Sequence, residues 1–341
     1  MTERLFDADA MLSDFDAEVL FCNEAEGHFE TVLDRTAFFP EGGGQSSDTG
    51  WVDGKEITHV FERDGVIYHV SGESLEVGKK VSCRIEFAER FRKMQNHTGE
   101  HVFSGLVHSM FGYDNVGFHL SDEYIRVDYD GALTGKDVAA LEDASNSAIA
   151  ENRAVKAWYP DGEELSRLEY RSKKELSGNI RIVSVEGVDV CACCAPHVAR
   201  TGEIGMLKVV DFMNYKGGTR LFAVCGVDAL RLFQKEHGML TEIANSLSAS
   251  RDDVPAAFEK MRAEVAALRR KNTELLKKTV FDTVERTQPS ERPLCFFLEG
   301  ADDATMRMLA NGTVSKCPVT AVFSKDGEKY RYIVASENFD L

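Results

Sequence analysis

No apolar run in the sequence approaches the ~20 residues that a membrane-spanning helix needs, and the opening Met-Thr-Glu-Arg-Leu-Phe-Asp carries neither a basic nor an apolar leader region. A cytoplasmic placement is expected on that ground. Cationic excess is missing too: 40 Lys and Arg stand against 57 Asp and Glu, a formal charge of −17. That balance excludes a uniformly basic coat for nucleic acid and leaves only local patches. In one stretch, Glu259 to Lys278, the sign reverses, with seven basic residues against three acidic. There is no disulfide framework either. Of eight cysteines, Cys22, Cys83, Cys225, Cys295 and Cys317 are scattered singly among apolar or mixed neighbours and read as buried thiols. Cys191, Cys193 and Cys194 cluster, which in a reducing compartment points to metal before disulfide.

What is present suffices for two or three domains: 341 residues, 43% hydrophobic and 28% charged. From about Val19 to Phe87, short β-like runs (His28 to Leu33, Val66 to Val70, Lys80 to Ile85) are punctuated by Gly and Asp, the pattern of a small antiparallel barrel or sheet. Phe91, Met94, Val102, Phe103 and Leu106 then recur at helical spacing over Ala88 to Met110. A strand with Ile125, Val127 and Tyr129, a helix from about Gly135 to Arg153, and strands over Ala154 to Tyr159 and Ile180 to Val190 suggest a sheet packed on that helix. A hairpin around Lys216-Gly217-Gly218 closes the unit. Next come a helix over Asp228 to Leu247 and a second one with Asp252 or Asp253 as N-cap and Pro255 in its first turn. Phe258, Met261, Val265, Leu268, Asn272 and Leu275 form a seam of about three heptads in the second helix. This suits either an antiparallel hairpin with its predecessor or a homodimer through helix 254–280. The tail, Pro293 to Leu341, reads as a small α/β unit that stops early. The expected class is therefore α+β: a β-barrel-like domain over 1–88 with a Gly-rich loop, a metal-binding α+β domain over 89–226, a long helical hairpin or coiled coil over 227–290, and a partial α/β domain over 291–341.

Two distant stretches each place metal-capable side chains four residues apart, His97-Thr98-Gly99-Glu100-His101 and Cys193-Cys194-Ala195-Pro196-His197. Residues i and i+4 of a helix share a face, so two imidazoles reach one ion. Three imidazoles and at least one thiolate suit Zn2+ in a tetrahedral shell. A metal-free buried set is the competing reading. A zinc protease is disfavoured, because its helix needs Glu directly after the first His and Thr98 stands there. The run Gly42-Gly43-Gly44 can take positive φ and turn N–H groups towards a ligand; a plain turn is the alternative.

With both pairs and the glycine run in view, the chain resembles the AlaX-type trans-editing proteins, which are related to the editing half of alanyl-tRNA synthetase. The resemblance covers roughly Leu33 to Cys225. It is carried by Leu33-Asp34-Arg35-Thr36-Ala37-Phe38-Phe39-Pro40-Glu41-Gly42-Gly43-Gly44-Gln45, Asn96-His97-Thr98-Gly99-Glu100-His101, Gly117-Phe118-His119-Leu120, Cys193-Cys194-Ala195-Pro196-His197 and Thr201-Gly202-Glu203-Ile204-Gly205. It implies a zinc-binding hydrolase that deacylates mischarged tRNA(Ala), chiefly seryl and also glycyl, with His97, His101, Cys193 and His197 as ligands. It places Thr36 where the serine hydroxyl is read, Gln45 beside water or substrate, and His119 in a matched block as a substrate contact. Gly42, Gly43 and Gly44 would give N–H groups to the ester carbonyl, and Glu100 is the candidate general base. The family commonly has Gly-Gly-Thr where this chain has Cys194-Ala195-Pro196. Cys194 therefore competes as a ligand, though Cys193 alone keeps the four-residue step to His197. That departure also sustains a second reading, an inactive tRNA-binding accessory protein with structural zinc.

Overall fold

A computed structural model describes residues 2–172 and 179–338, in two compact units, Met1–Glu236 and His237–Leu341. The first unit opens with six strands, β1 (Asp14–Ala25), β2 (His28–Leu33), β3 (Gly50–Val52), β4 (Lys55–Arg63), β5 (Val66–Ser71) and β6 (Lys80–Ile85). They close in the order β1-β2-β5-β4-β3-β6, with Phe15 of β1 opposite Cys83 of β6. Alternation drives the closure. Val81, Cys83 and Ile85 are buried while Lys80, Ser82 and Arg84 are exposed, so each strand turns one apolar face into a core with Val19, Leu33, Phe38 and Ile67. An imidazole sits in that core: His69 donates from Nδ1 to the Thr31 carbonyl at 3.1 Å and accepts at Nε2 from the Thr36 hydroxyl at 2.8 Å. Burial holds its pKa down at about 4, so the ring is neutral near pH 7.

Helix α1 (Phe87–Phe111) follows, ending where Gly112 takes φ +71° and its N–H bonds the His108 carbonyl. Next come β7 (Asn115–Leu120), β8 (Ile125–Tyr129), α2 (Gly135–Ala150), β9 (Val155–Trp158), β10 (Ile182–Val185), β11 (Asp189–Ala192), β12 (Leu207–Tyr215) and β13 (Gly218–Cys225). The sheet β12-β13-β8-β7 lays Ile125, Val127, Leu221 and Ala223 against Met94, Val102, Phe103 and Val107 of α1. A second sheet, β9-β10-β11, brings β11 against the same helix. The single strand expected over Ile180 to Val190 is instead a hairpin: Gly187 takes φ +67°, and Val188 N–H bonds the Val185 carbonyl. The turn reverses the chain so that Cys193 emerges at the end of β11.

Barrel and helix are bolted together by a buried ion pair. Arg90, on the first turn of α1, grips Asp48 with both Nε and Nη2 and donates to the Ala37 carbonyl at 2.6 Å, while Asp48 accepts from Phe39 N–H at 2.6 Å. Lys93 adds a 2.7 Å bond to the Ser47 carbonyl. The loop 37–48, which carries the glycine run, is thereby fixed against the helix that carries His97 and His101.

Helix α3 (Gly226–Ser246) crosses from the first unit into the second. Within the second, α4 (Val254–Arg286) and α5 (Asp303–Thr313) cover one face of the sheet β14 (Leu294–Glu299), β15 (Thr320–Asp326) and β16 (Lys329–Ala335), around Val280, Met306, Leu309 and Val322. The seam of α4 is not covered by a helical hairpin: Phe258, Met261, Val265, Leu268 and Leu275 are all exposed. Val280, near the C-terminal end, is the buried position of this helix. Among the described residues no helix is long and apolar enough to cross a membrane.

Candidate metal centre and its cavity

His97 and His101 lie one turn apart on α1, and Cys193 and His197 lie on the loop leaving β11. The structure brings all four together, with ligand atoms within 4.8 Å of one another. Cys193 Sγ is 3.5 Å from His97 Nε2 and 3.4 Å from His197 Nε2. A tetrahedral shell with Zn–S of about 2.3 Å and Zn–N of about 2.0–2.1 Å puts sulfur about 3.5 Å from each nitrogen. The two sulfur–nitrogen separations therefore suit a tetrahedral zinc shell.

Each imidazole is held from behind. His97 Nδ1 donates to Gln45 Oε1 at 2.8 Å, His101 Nδ1 to Asp189 Oδ2 at 3.0 Å, and His197 Nδ1 to Thr98 Oγ1 at 3.0 Å. A proton fixed on Nδ1 leaves the Nε2 lone pair for a metal, the usual outer arrangement of histidine ligands. Burial would raise the Cys193 thiol, but the imidazoles of His97 and His197 hold it well below its ordinary range. Burial would likewise lower His101, yet the Asp189 carboxylate and Cys193 hold it well above its usual value. Asp189 is kept low against its own burial by His101 and Arg171.

His97, His101 and Cys193 open onto a cavity of about 640 Å³ rimmed by Gly43, Gly44 and Phe118. The rim is a tight turn. Gly42 and Gln45 exchange backbone bonds of 3.1 and 3.0 Å, and the residues between them take φ +62° and +84°, as a type I′ turn requires. Gly44 cannot be replaced without movement, since a Cβ there would lie 2.8 Å from both the ring and the carbonyl oxygen of Phe118. Phe118 in turn packs against His97, centroids 4.7 Å apart.

Several expected residues lie elsewhere. Thr36 is fully buried and its hydroxyl is engaged, donating to His69 and accepting from Phe38 N–H at 3.1 Å. It does not line the cavity. Glu100 is buried and Oε1 accepts from Ser104 at 2.6 Å and Asn115 at 2.5 Å, a structural network rather than a base facing the cavity. His119 is exposed and off the cavity wall. Strand alternation gives that wall to Phe118 instead. Gly42 sits behind the rim formed by its two successors. Gln45 holds His97 rather than facing solvent, and among the described residues its buried Nε2 has no partner. Cys194 turns its sulfur to the glycine turn, 3.2 Å from where a Cβ of Gly43 would lie, and Cys191 is buried beside His101 and Asp189. Asp189, Thr98, Phe118 and Arg181 were not singled out as site residues in the sequence. Arg181 is buried and donates to the carbonyls of Cys193 at 3.2 Å and Ala195 at 2.8 Å, pinning the ligand loop. Asp189 carries one signal, the same four-residue step before Cys193 that His197 has after it.

Fold and site together define an α+β protein with an N-terminal barrel and a His/Cys set, drawn from α1 and the loop after β11, that could hold a metal ion. Residues 11–89 match the family described as tRNA synthetases class II (A), and residues 180–221 the one described as Threonyl and Alanyl tRNA synthetase second additional domain. Among curated relatives, an alanine–tRNA ligase of Ignicoccus hospitalis is 31% identical over 293 residues, covering 82% of this chain and 32% of the ligase. The alanyl-tRNA editing protein AlaX-L of Pyrococcus horikoshii is 29% identical over 270 residues, 76% of this chain and 66% of that protein. The alanyl-tRNA editing protein Aarsd1 of Mus musculus is 26% identical over 300 residues, 83% and 73% of the two chains. The chain is thus related to the AlaX-type alanyl-tRNA editing proteins and to the corresponding part of alanine–tRNA ligases, and it spans about a third of the ligase it matches and about two thirds of AlaX-L.

Proposed function

We propose that the protein is a zinc-dependent hydrolase acting in trans on mischarged tRNA(Ala), clearing seryl and also glycyl esters, in the cytoplasm. The observation that carries this reading is the convergence of His97, His101, Cys193 and His197, the first three of them on the wall of a cavity rimmed by a glycine turn. The need is chemical: a synthetase pocket sized for alanine rejects an added hydroxyl only about a hundredfold, so a second site must remove the error.

His97, His101, Cys193 and His197 would hold Zn2+, which would supply a Lewis acid that organises and polarises the aminoacyl end. The chain's own groups do the rest. Gly43 and Gly44 line the cavity, and no hydrogen bond from either N–H is made among the described residues, so both would be free to donate to a carbonyl oxygen that gains charge. Phe118 closes one side and excludes water from the ligand face. Among the described residues no Asp or Glu lines the cavity, while Arg4 and Arg181 do, so a polyanionic acceptor end meets cationic groups on an otherwise acidic chain. The ester is already activated: water adds to its carbonyl carbon, the acyl C–O bond breaks, and the departing ribose oxygen takes up the proton that the water loses.

Deacylation of seryl-, glycyl- and alanyl-tRNA(Ala) by the parent and by Cys193→Ala tests this reading. Seryl-tRNA turnover by the parent, lost together with bound zinc in the variant, supports it. Tight tRNA binding with no turnover would favour the accessory-protein reading. The exposed seam of α4 supports a homodimer through helix 254–280. Sedimentation should show a dimer that Leu268→Glu dissociates, and a parent monomeric at every concentration contradicts it.

A further inference from the structure

The three imidazoles are held from behind by different groups: an amide oxygen on His97, a hydroxyl on His197 and a carboxylate on His101. The third stands apart because Asp189 is itself clamped. Arg171 donates from Nε to Oδ1 at 2.8 Å and from Nη2 to Oδ2 at 2.9 Å, with the carboxylate side chain 1% and the guanidinium side chain 11% exposed. A two-pronged grip leaves the carboxylate one orientation, where a single bond would let it rotate. The backbone of Arg171 is also stitched to the same strand: its N–H bonds the Val190 carbonyl at 2.9 Å, and Ala192 N–H bonds its carbonyl at 2.9 Å. Cys193 is the next residue along. One segment therefore braces a ligand from α1, through Asp189, and the strand that delivers the ligand thiol.

We propose that Arg171 and Asp189 are a positioning pair that makes His101 the anchoring ligand of the metal centre, fixing its tautomer and ring plane and holding β11 in register with α1. The proposal rests on the zinc reading above and goes beyond it, since neither residue belongs to the matched blocks. Charge-assisted bonds are roughly twice as strong as neutral ones, so the three outer bonds are unequal. Removing the Asp189 carboxylate costs more metal affinity than removing the Gln45 amide.

Zinc affinity of the full chain, measured by competition with a chromophoric chelator, tests it in Asp189→Ala, Asp189→Asn, Arg171→Lys, Gln45→Leu and Cys193→Ala, with the ligand-field spectrum of the cobalt-loaded protein as a second readout. Asp189→Ala is expected to weaken zinc binding by about 10- to 100-fold and to shift the cobalt bands. Asp189→Asn, nearly isosteric, keeps an acceptor for Nδ1–H and loses less, and Arg171→Lys, which cannot grip both oxygens, also weakens binding. Gln45→Leu loses less than Asp189→Ala. Parent-like affinity and spectrum in both Asp189 variants, or a larger loss in Gln45→Leu, overturns the proposal. If that happens while Cys193→Ala loses zinc, the zinc reading survives and the positioning pair falls. If Cys193→Ala also binds like the parent, both fall.

Discussion

At the scale of single residues, the four candidate ligands were legible because their chemistry leaves a spacing in the sequence, and their supports were not because hydrogen-bond partners from other elements leave none. His97, His101, Cys193 and His197 converge as the two four-residue steps implied, whereas Asp189, Arg171 and Arg181 emerge only once β11 is folded back beside α1. Thr36 is a different case. The family resemblance marks it as a reader of serine, and its hydroxyl bonds His69 and Phe38 N–H inside the barrel. Thr36→Val should therefore leave the ratio of seryl to alanyl deacylation unchanged and destabilise the fold by about 1–3 kcal/mol, because it strands His69 Nε2 and an amide. Denaturant midpoints and the two deacylation rates check this, and a narrowed ratio at full stability contradicts it. The partner ring gives a pH dependence. His69 has a folded pKa of about 4 against an ordinary value of 6.5, so on acidification the unfolded chain takes the proton first. Its contribution is present above about pH 6.5 and is lost as pH falls towards 4. Thermal midpoints of the parent should fall more steeply across that window than those of His69→Gln.

At the scale of elements, strands and helices were readable from period and punctuation: the runs read over 28–33 and 80–85 are β2 and β6, and the helix read over 88–110 is α1 to within one residue at each end. The hairpin β10–β11 was missed because Glu186-Gly187 is too brief a break, in a run already mixing apolar residues with Arg181, Ser184 and Asp189, to register as a turn. The joints between elements were illegible for a different reason, since Arg90 and Asp48 meet 42 residues apart. Arg90→Ala should cost about 3–5 kcal/mol by leaving Asp48 buried and unpaired, read as a lowered denaturant midpoint. Gly44→Ala acts locally. Its added Cβ collides with Phe118, and its φ of +84° strains any L residue. We expect near-parent stability, within about 1–3 kcal/mol, with deacylation strongly reduced. A fully active Gly44→Ala would remove the glycine turn from the site.

At the scale of the whole chain, net acidity and the proposed polyanionic substrate have to be reconciled. With a charge of −17, the protein can engage tRNA only through local cationic groups, and the stretch Glu259 to Lys278 of α4 supplies seven of them against three acidic. Replacing Arg269, Arg270 and Lys271 with Gln should weaken tRNA binding and reduce the slope of log affinity against log salt by roughly 0.9 for each phosphate no longer neutralised. An unchanged slope would place the tRNA elsewhere. The proposed function depends on one place, where a helix from the middle of the first unit and a loop almost a hundred residues later would share an ion beside the barrel's glycine turn. Hydrolysis of seryl-tRNA(Ala) by the intact protein, followed before chelation, after chelation and on return of zinc, addresses it most directly. The account predicts turnover, its loss with the metal and its recovery with zinc. Absence of turnover from zinc-loaded protein, or undiminished turnover from protein shown to be metal-free, would contradict it.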